Sequence, residues 1–228
     1  MRPLSDELSK LSELNHRSVF FDLVESREDT IDFSKFNENE CQLTFLLLQG
    51  ITAQVGGKFQ NLKKKIGIIT PYKAHVQQLK NKISPWLRNQ GCSAFDIFID
   101  TVDSFQGREL DIVIFNCVRS NPIRGYSQIR AAMGFLGDVR RLNVAITRPR
   151  HFLYVVGNRE TLKMHEVWRR FMDHHRIVTL SEKIERYSYE NLLAALAGTT
   201  VLASDHFKPL DLQIQQKPKK KQLTYEDV

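Results

Sequence analysis

Three apolar runs constrain the fold more than any other feature. They are Lys65–Thr70 (KIGIIT), Asp111–Val118 (DIVIFNCV) and His151–Gly157 (HFLYVVG). Each has strand length and little polar alternation. Runs of that kind are strands buried on both faces, as in a parallel sheet. Between them lie stretches with helical periodicity. Asn39–Val55 places Leu43, Leu46, Leu47 and Ile51 on one face, and Tyr72–Leu87 does the same with Val76, Leu79 and Ile83. Gly137–Thr147 and Thr161–Asp173 are two more expected helices. Ser18–Val24 and Ala94–Ile99 read as further strands.

Strand and helix in alternation predict an α/β fold, a parallel sheet with helices on both faces. Ligands of such sheets bind beyond the carboxyl ends of the strands. That rule selects the loops Thr70–Lys73 and Thr101–Glu109, and the segment after Val118.

A length of 228 residues suits one globular domain with an added segment. Beyond Arg176 the character changes: Ser181–Leu196 reads as a helix, and Asp205–Val228 as a polar tail containing KPKKK. That run is read as a nuclear localisation signal or nucleic-acid patch, against a merely solvated charge run. The formal net charge of +7 favours a polyanionic partner. Three cysteines without metal-ligand spacing argue against a zinc site and a disulfide framework. No apolar run has bilayer-spanning length, and the N-terminus has no signal-peptide core.

Three segments carry possible chemistry. In Thr101–Glu109 (TVDSFQGRE), hydroxyls and amides near Gly107 can hold phosphate oxygens, and Glu109 can accept from ribose hydroxyls. A structural loop with satisfied polar groups reads equally well. In Arg140–Arg150 (RRLNVAITRPR), Arg141 and Arg148 share a face if the helix runs through both. Pro149 biases Arg148 away from helical geometry, so Arg148 sits at a helix exit and can clamp a phosphoryl group. Exposed surface pairing is the plainer reading. In Thr70–Lys73 (TPYK), Pro71 suits a first helical position, and Tyr72 either stacks on a base or caps the core. GxSxG, HExxH and clustered His/Cys patterns are absent, which disfavours an unrelated hydrolase. His174-His175 reads as a solvated helix end.

Taken together with Cys117–Arg119 (CVR), Gly134–Leu136 (GFL), Gly157-Asn158 and Trp168, these segments resemble the second RecA-like domain of superfamily 1 helicases. The likeness is to the senataxin branch, related to the nonsense-mediated-decay helicase, and spans Val19 to Phe171. It implies that TVDSFQGRE is motif V, with Gly107 and Glu109 at the nucleotide and Thr101 and Asp103 at the nucleic acid. It implies that RRLNVAITR is motif VI, with Arg148 the catalytic arginine finger, and that Thr70, Pro71 and Tyr72 lie near the bound strand.

The resemblance also implies ATP and Mg2+ as cofactors once a first RecA-like domain is joined, with single-stranded RNA or DNA as partner and translocation 5′ to 3′. Location would be nuclear, with the cytoplasm as alternative. There is no GxxxxGK followed by Ser or Thr: at Gly57-Lys58 the first glycine is replaced by Thr52. No acidic metal-binding segment is seen, so these motifs and the ATPase activity are expected from the first domain. Where the family has alanine, this chain has Pro149. The expected organisation is a lead-in over 1–17, the RecA-like domain over 18–176 and a tail over 177–228. The alternative is a stand-alone, non-catalytic nucleic-acid-binding or adaptor module.

Overall fold

The computed structural model describes residues 6–11, 16–120 and 133–197; the KPKKK run lies outside them. After a short helix α1 (Asp6–Ser9), the strands are β1 (Ser18–Leu23), β2 (Asp29–Ile31), β3 (Ser34–Phe36), β4 (Ile66–Thr70), β5 (Phe98–Thr101), β6 (Leu110–Asn116), β7 (Pro149–Gly157) and β8 (Arg176–Leu180). The remaining helices are α2 (Glu38–Gln54), α3 (Lys73–Asn89), α4 (Val139–Ile146), α5 (Arg159–Leu162), α6 (Glu166–His174) and α7 (Tyr189–Ala197). Six strands form one parallel sheet in the order β5-β4-β6-β7-β1-β8, and β2 and β3 pair as an antiparallel hairpin. This is a RecA-like α/β fold.

Alternation along the strands divides the core in two. Val19, Phe21, Ile66, Ile68, Ile112, Ile114 and Tyr154 face α2 and α3, with Leu192 of α7 in the same cluster. Phe20, Ile69, Val113, Phe115 and Val155 face the other way, onto Leu142 of α4 and Trp168, Phe171 and Met172 of α6. A strand whose successive side chains all find apolar partners has no polar face, which is why its sequence reads as an unbroken apolar run.

Several boundaries differ from the sequence reading. Ala94–Asp96 is a 3-10 turn closed by a capping box between Ser93 and Asp96, and β5 starts later, at Phe98. The expected helix Thr161–Asp173 is two helices, α5 and α6, separated at Lys163–His165. Pro71 precedes the N-cap Tyr72 of α3 instead of opening the helix. The helix of α4 ends at Ile146, so Arg148 leaves the helical face it was expected to share with Arg141. Beyond 176 the sheet continues: β8 pairs with β1 across Val19↔Arg176 to Leu23↔Leu180, and α7 contacts α2.

Candidate functional site

The segment between β5 and β6 does not stay at one end of the sheet. Thr101 ends β5 beside Thr70, its register partner, and the Val102 N–H donates to the Thr70 carbonyl at 3.1 Å. Asp103–Phe105 then form a 3-10 turn. Glu109 precedes Leu110, where β6 begins at the opposite end, level with Pro149 of β7. The chain has travelled back along the sheet, a distance of about 20 Å at the strand rise. Phe105 anchors this return. It is fully buried, and its ring lies where a side chain at Gly67 of β4 would project. Thus only the Thr101–Phe105 part of the expected loop is at the carboxyl edge, and Gly107 to Glu109 lie toward the amino edge. The carboxyl-edge rule selected one half of the loop and misplaced the other.

At the amino edge the backbone beside Glu109 meets that of Arg148. The Leu110 N–H donates to the Arg148 carbonyl at 3.3 Å. Arg150 lies 3.5 Å from the Glu109 carboxylate and 3.6 Å from Asp111. Pro149 opens β7, where a strand tolerates a residue without an N–H. Arg148 itself is half-buried, and its Nε is buried with no hydrogen-bond partner. A buried donor left unpaired costs free energy, so this guanidinium is held in a position the fold alone does not reward. Gly107 is exposed at φ +80°, a conformation that favours glycine.

At the carboxyl edge lie Thr70, Pro71, Tyr72, Thr101 and Asp103. Thr70 is fully buried with an unpaired hydroxyl. Thr101 Oγ1 is 3.1 Å from Ser104 Oγ. Asp103 is exposed and meets Arg141 of α4 at 3.4 Å, so the two longest motifs touch through this pair. Arg141 also lies over the Phe135 ring, 4.4 Å from its centroid. Tyr72 is half-buried, and its phenol, pushed up by burial, lies beside the Arg119 guanidinium. Both flank Gly134, which adopts φ +47°.

Beneath this edge is a polar network that no sequence motif revealed. Glu40 of α2 is fully buried, and both carboxylate oxygens accept from the Val118 N–H, at 2.9 and 2.8 Å. Val118, a β-branched residue, sits at φ +70°. Asn37 caps α2, and its amide donates to the Val118 carbonyl at 3.1 Å. Thr44 donates to Asn116 at 2.7 Å. Asn37 N–H donates to His75 Nδ1 at 3.3 Å. Burial lowers His75 to about 4 and pushes Glu40 well above the ordinary carboxylate range. A second buried carboxylate, Glu28, accepts from Arg119 Nε at 2.9 Å and Ser120 N–H at 3.0 Å, and meets Lys35 at 3.3 Å. These residues are scattered singly in sequence, and no spacing pattern joins them.

The three cysteines are free and buried. Among the described residues no group of His, Cys, Asp and Glu is arranged to hold a metal ion, and no helix is long and apolar enough to cross a membrane. His174 is exposed against the Arg170 carbonyl, and His175 stacks on Phe171 at 3.9 Å.

The fold is that of a RecA-like α/β domain, with one segment, Thr101–Glu109, running between the two ends of its sheet. Residues 2–160 match the AAA domain family. The chain belongs to that family, as a superfamily 1 helicase domain of the senataxin and nonsense-transcript-regulator type. It is 40% identical over 157 residues to a probable helicase of Dictyostelium discoideum, covering 68% of this chain and 15% of that protein. It is 42% identical over 113 residues to helicase sen1 of Schizosaccharomyces pombe, covering 50% and 6%. To the regulator of nonsense transcripts 1 homolog of Neurospora crassa it is 38% identical over 118 residues, covering 52% and 10%. The chain thus spans between 6% and 15% of the length of these relatives. Helicases of this family are ATP-dependent hydrolases that bind nucleic acid.

Proposed function

We propose that this chain is the C-terminal motor half of an ATP-dependent RNA or DNA helicase moving 5′ to 3′. The observation that carries the reading is that the Leu110 N–H, next to Glu109, donates to the Arg148 carbonyl where β6 adjoins β7, so both residues stand at the amino edge, with the Arg148 Nε buried and without a partner. In this reading Thr101–Glu109 is motif V and Arg140–Arg148 is motif VI. Gly107 and Glu109 meet the nucleotide, Glu109 accepting from the ribose. Arg148 stabilises charge on the γ-phosphoryl group as the bond to the leaving diphosphate loosens. Thr70, Pro71, Tyr72, Thr101 and Asp103 meet a single strand at the carboxyl edge. The Phe105-anchored segment joins the two sites, so movement at one end is passed to the other.

Magnesium and the phosphate-cradling loop come from a first RecA-like domain, in cis or in trans. The domain alone is therefore expected to hydrolyse ATP negligibly. Nuclear location follows from the senataxin-like character and the KPKKK run.

The test is a fusion of this chain to a first RecA-like domain from a senataxin-type relative, assayed for RNA-stimulated ATP hydrolysis. Arg148→Ala is expected to lower kcat by about 10³-fold or more, as for other arginine fingers. Full activity of that variant would remove the assignment.

A further inference from the structure

We infer a second nucleic-acid contact in a cleft along β5, the edge strand of the sheet, in which single-stranded RNA or DNA stacks a base on Phe95 and places its phosphates against Lys64, Lys80 and Arg108. The cleft has a volume of about 770 Å³ and extends from Lys64 at the amino end to Asp100 at the carboxyl end. Asp100 adjoins Thr101, so the cleft opens toward the carboxyl-edge strand site. The inference rests on the proposed function for its choice of ligand, and the cleft reaches Glu109, given there to the nucleotide, at its amino end.

The aromatic comes first. Phe95 is 90% exposed, yet it sits in the 3-10 turn that Ser93 and Asp96 close by a reciprocal capping box. A ring left in water on a capped turn gains no burial free energy from this fold. Base stacking would supply that burial.

The charges come second. The Lys64 N–H donates to the Asp96 carbonyl at 2.6 Å, and Lys63 pairs with the Asp96 carboxylate at 3.4 Å. These contacts dock the basic run Lys63–Lys65 on the turn that carries Phe95. Lys64 is fixed at φ +58° and is exposed. Arg108 lies over the Phe98 ring, 5.0 Å from its centroid. Among the described residues, Lys64, Lys80 and Arg108 have no ion-pair partner. Of the cleft's carboxylates, Glu109 faces Arg150, and Asp100, whose Oδ1 accepts from the Thr101 N–H at 2.7 Å, leaves one negative charge at the carboxyl end against the three cations. Three unneutralised cations beside a presented aromatic make a site for a polyanion with flat bases. A peptide adding to the open strand edge would need no cations at all.

The experiment uses the full 228-residue chain and fluorescein-labelled twelve-nucleotide oligo(U) and oligo(dT), with anisotropy read between 50 and 200 mM KCl. Phe95→Ala, which removes a side chain outside the core, is expected to weaken binding about tenfold. Lys80→Glu is expected to weaken it and to reduce the salt slope by about one. If both variants bind within twofold of the parent while Tyr72→Ala weakens binding, the cleft is wrong and the carboxyl-edge site stands. If the cleft variants weaken binding and Tyr72→Ala does not, the cleft stands and the carboxyl-edge site falls. Loss of neither, or no binding of either oligonucleotide by the parent chain, overturns both.

Discussion

The Glu40 carboxylate grips the Val118 N–H with both oxygens, from a helix 78 positions earlier in the chain. This bond holds the exit of the central strand β6 in a left-handed turn that a β-branched residue disfavours. It fixes where Arg119 and Ser120 start, and through Arg119 the surroundings of Tyr72. Removing the carboxylate with Glu40→Ala leaves a buried N–H unpaired. The expected loss is about 2 kcal/mol, or about 4–8 °C in Tm, read by thermal melting.

Glu40 and His75 impose opposite pH dependences. The folded pKa of Glu40 is raised, by burial above all. Its contribution is therefore present below pH 4.5 and is lost as pH rises through the higher folded value. Glu40→Gln should then gain on the parent chain as pH is raised from 5 to 8. A constant difference in Tm across that range would contradict the buried, perturbed carboxyl.

His75 works the other way. It is held neutral, with a folded value of about 4 against an ordinary 6.5, so the unfolded chain takes up the proton first as pH falls. Stability is lost between about pH 6.5 and 4, with an upper size of roughly 3 kcal/mol. His75→Asn should flatten this part of the profile, measured by denaturant unfolding at pH 7, 6 and 5.

Gly157 closes β7 against β6. A methyl group there would meet Cys117 Cβ at 3.0 Å and Leu162 Cδ1 at 2.9 Å. Gly157→Ala is expected to cost about 1–3 kcal/mol by overpacking. Unchanged stability would mean that β6 and α5 yield more readily than packed cores do.

Arg141 and Asp103 separate stability from coupling. Their ion pair, 3.4 Å apart, has side chains 46% and 62% exposed. Arg141→Ala should change stability by less than about 1 kcal/mol. In the fused helicase it should reduce the stimulation of ATP hydrolysis by RNA more than the basal rate. Equal loss of both rates would place Arg141 at the nucleotide instead of at the carboxyl edge.

The sequence determined the layered α/β architecture, because strands covered on both faces must be apolar throughout and helices covered on one face must show periodicity. Ile66–Thr70 and Leu110–Asn116 were legible for that reason. So were the segments holding Thr101, Glu109 and Arg148, whose residues are close together in sequence. The tertiary structure decided what depends on residues distant in sequence. The strand β8 has no helical or apolar run long enough to announce it and is defined by pairing with β1. The return of Gly107–Glu109 to the amino edge follows from how Phe105 packs against β4. Glu40, Asn37 and His75 carry no spacing signal, because a buried polar group is specified by the partner it meets in space. The chemistry of each residue is written locally, but which end of the sheet it serves is set by packing across the whole fold.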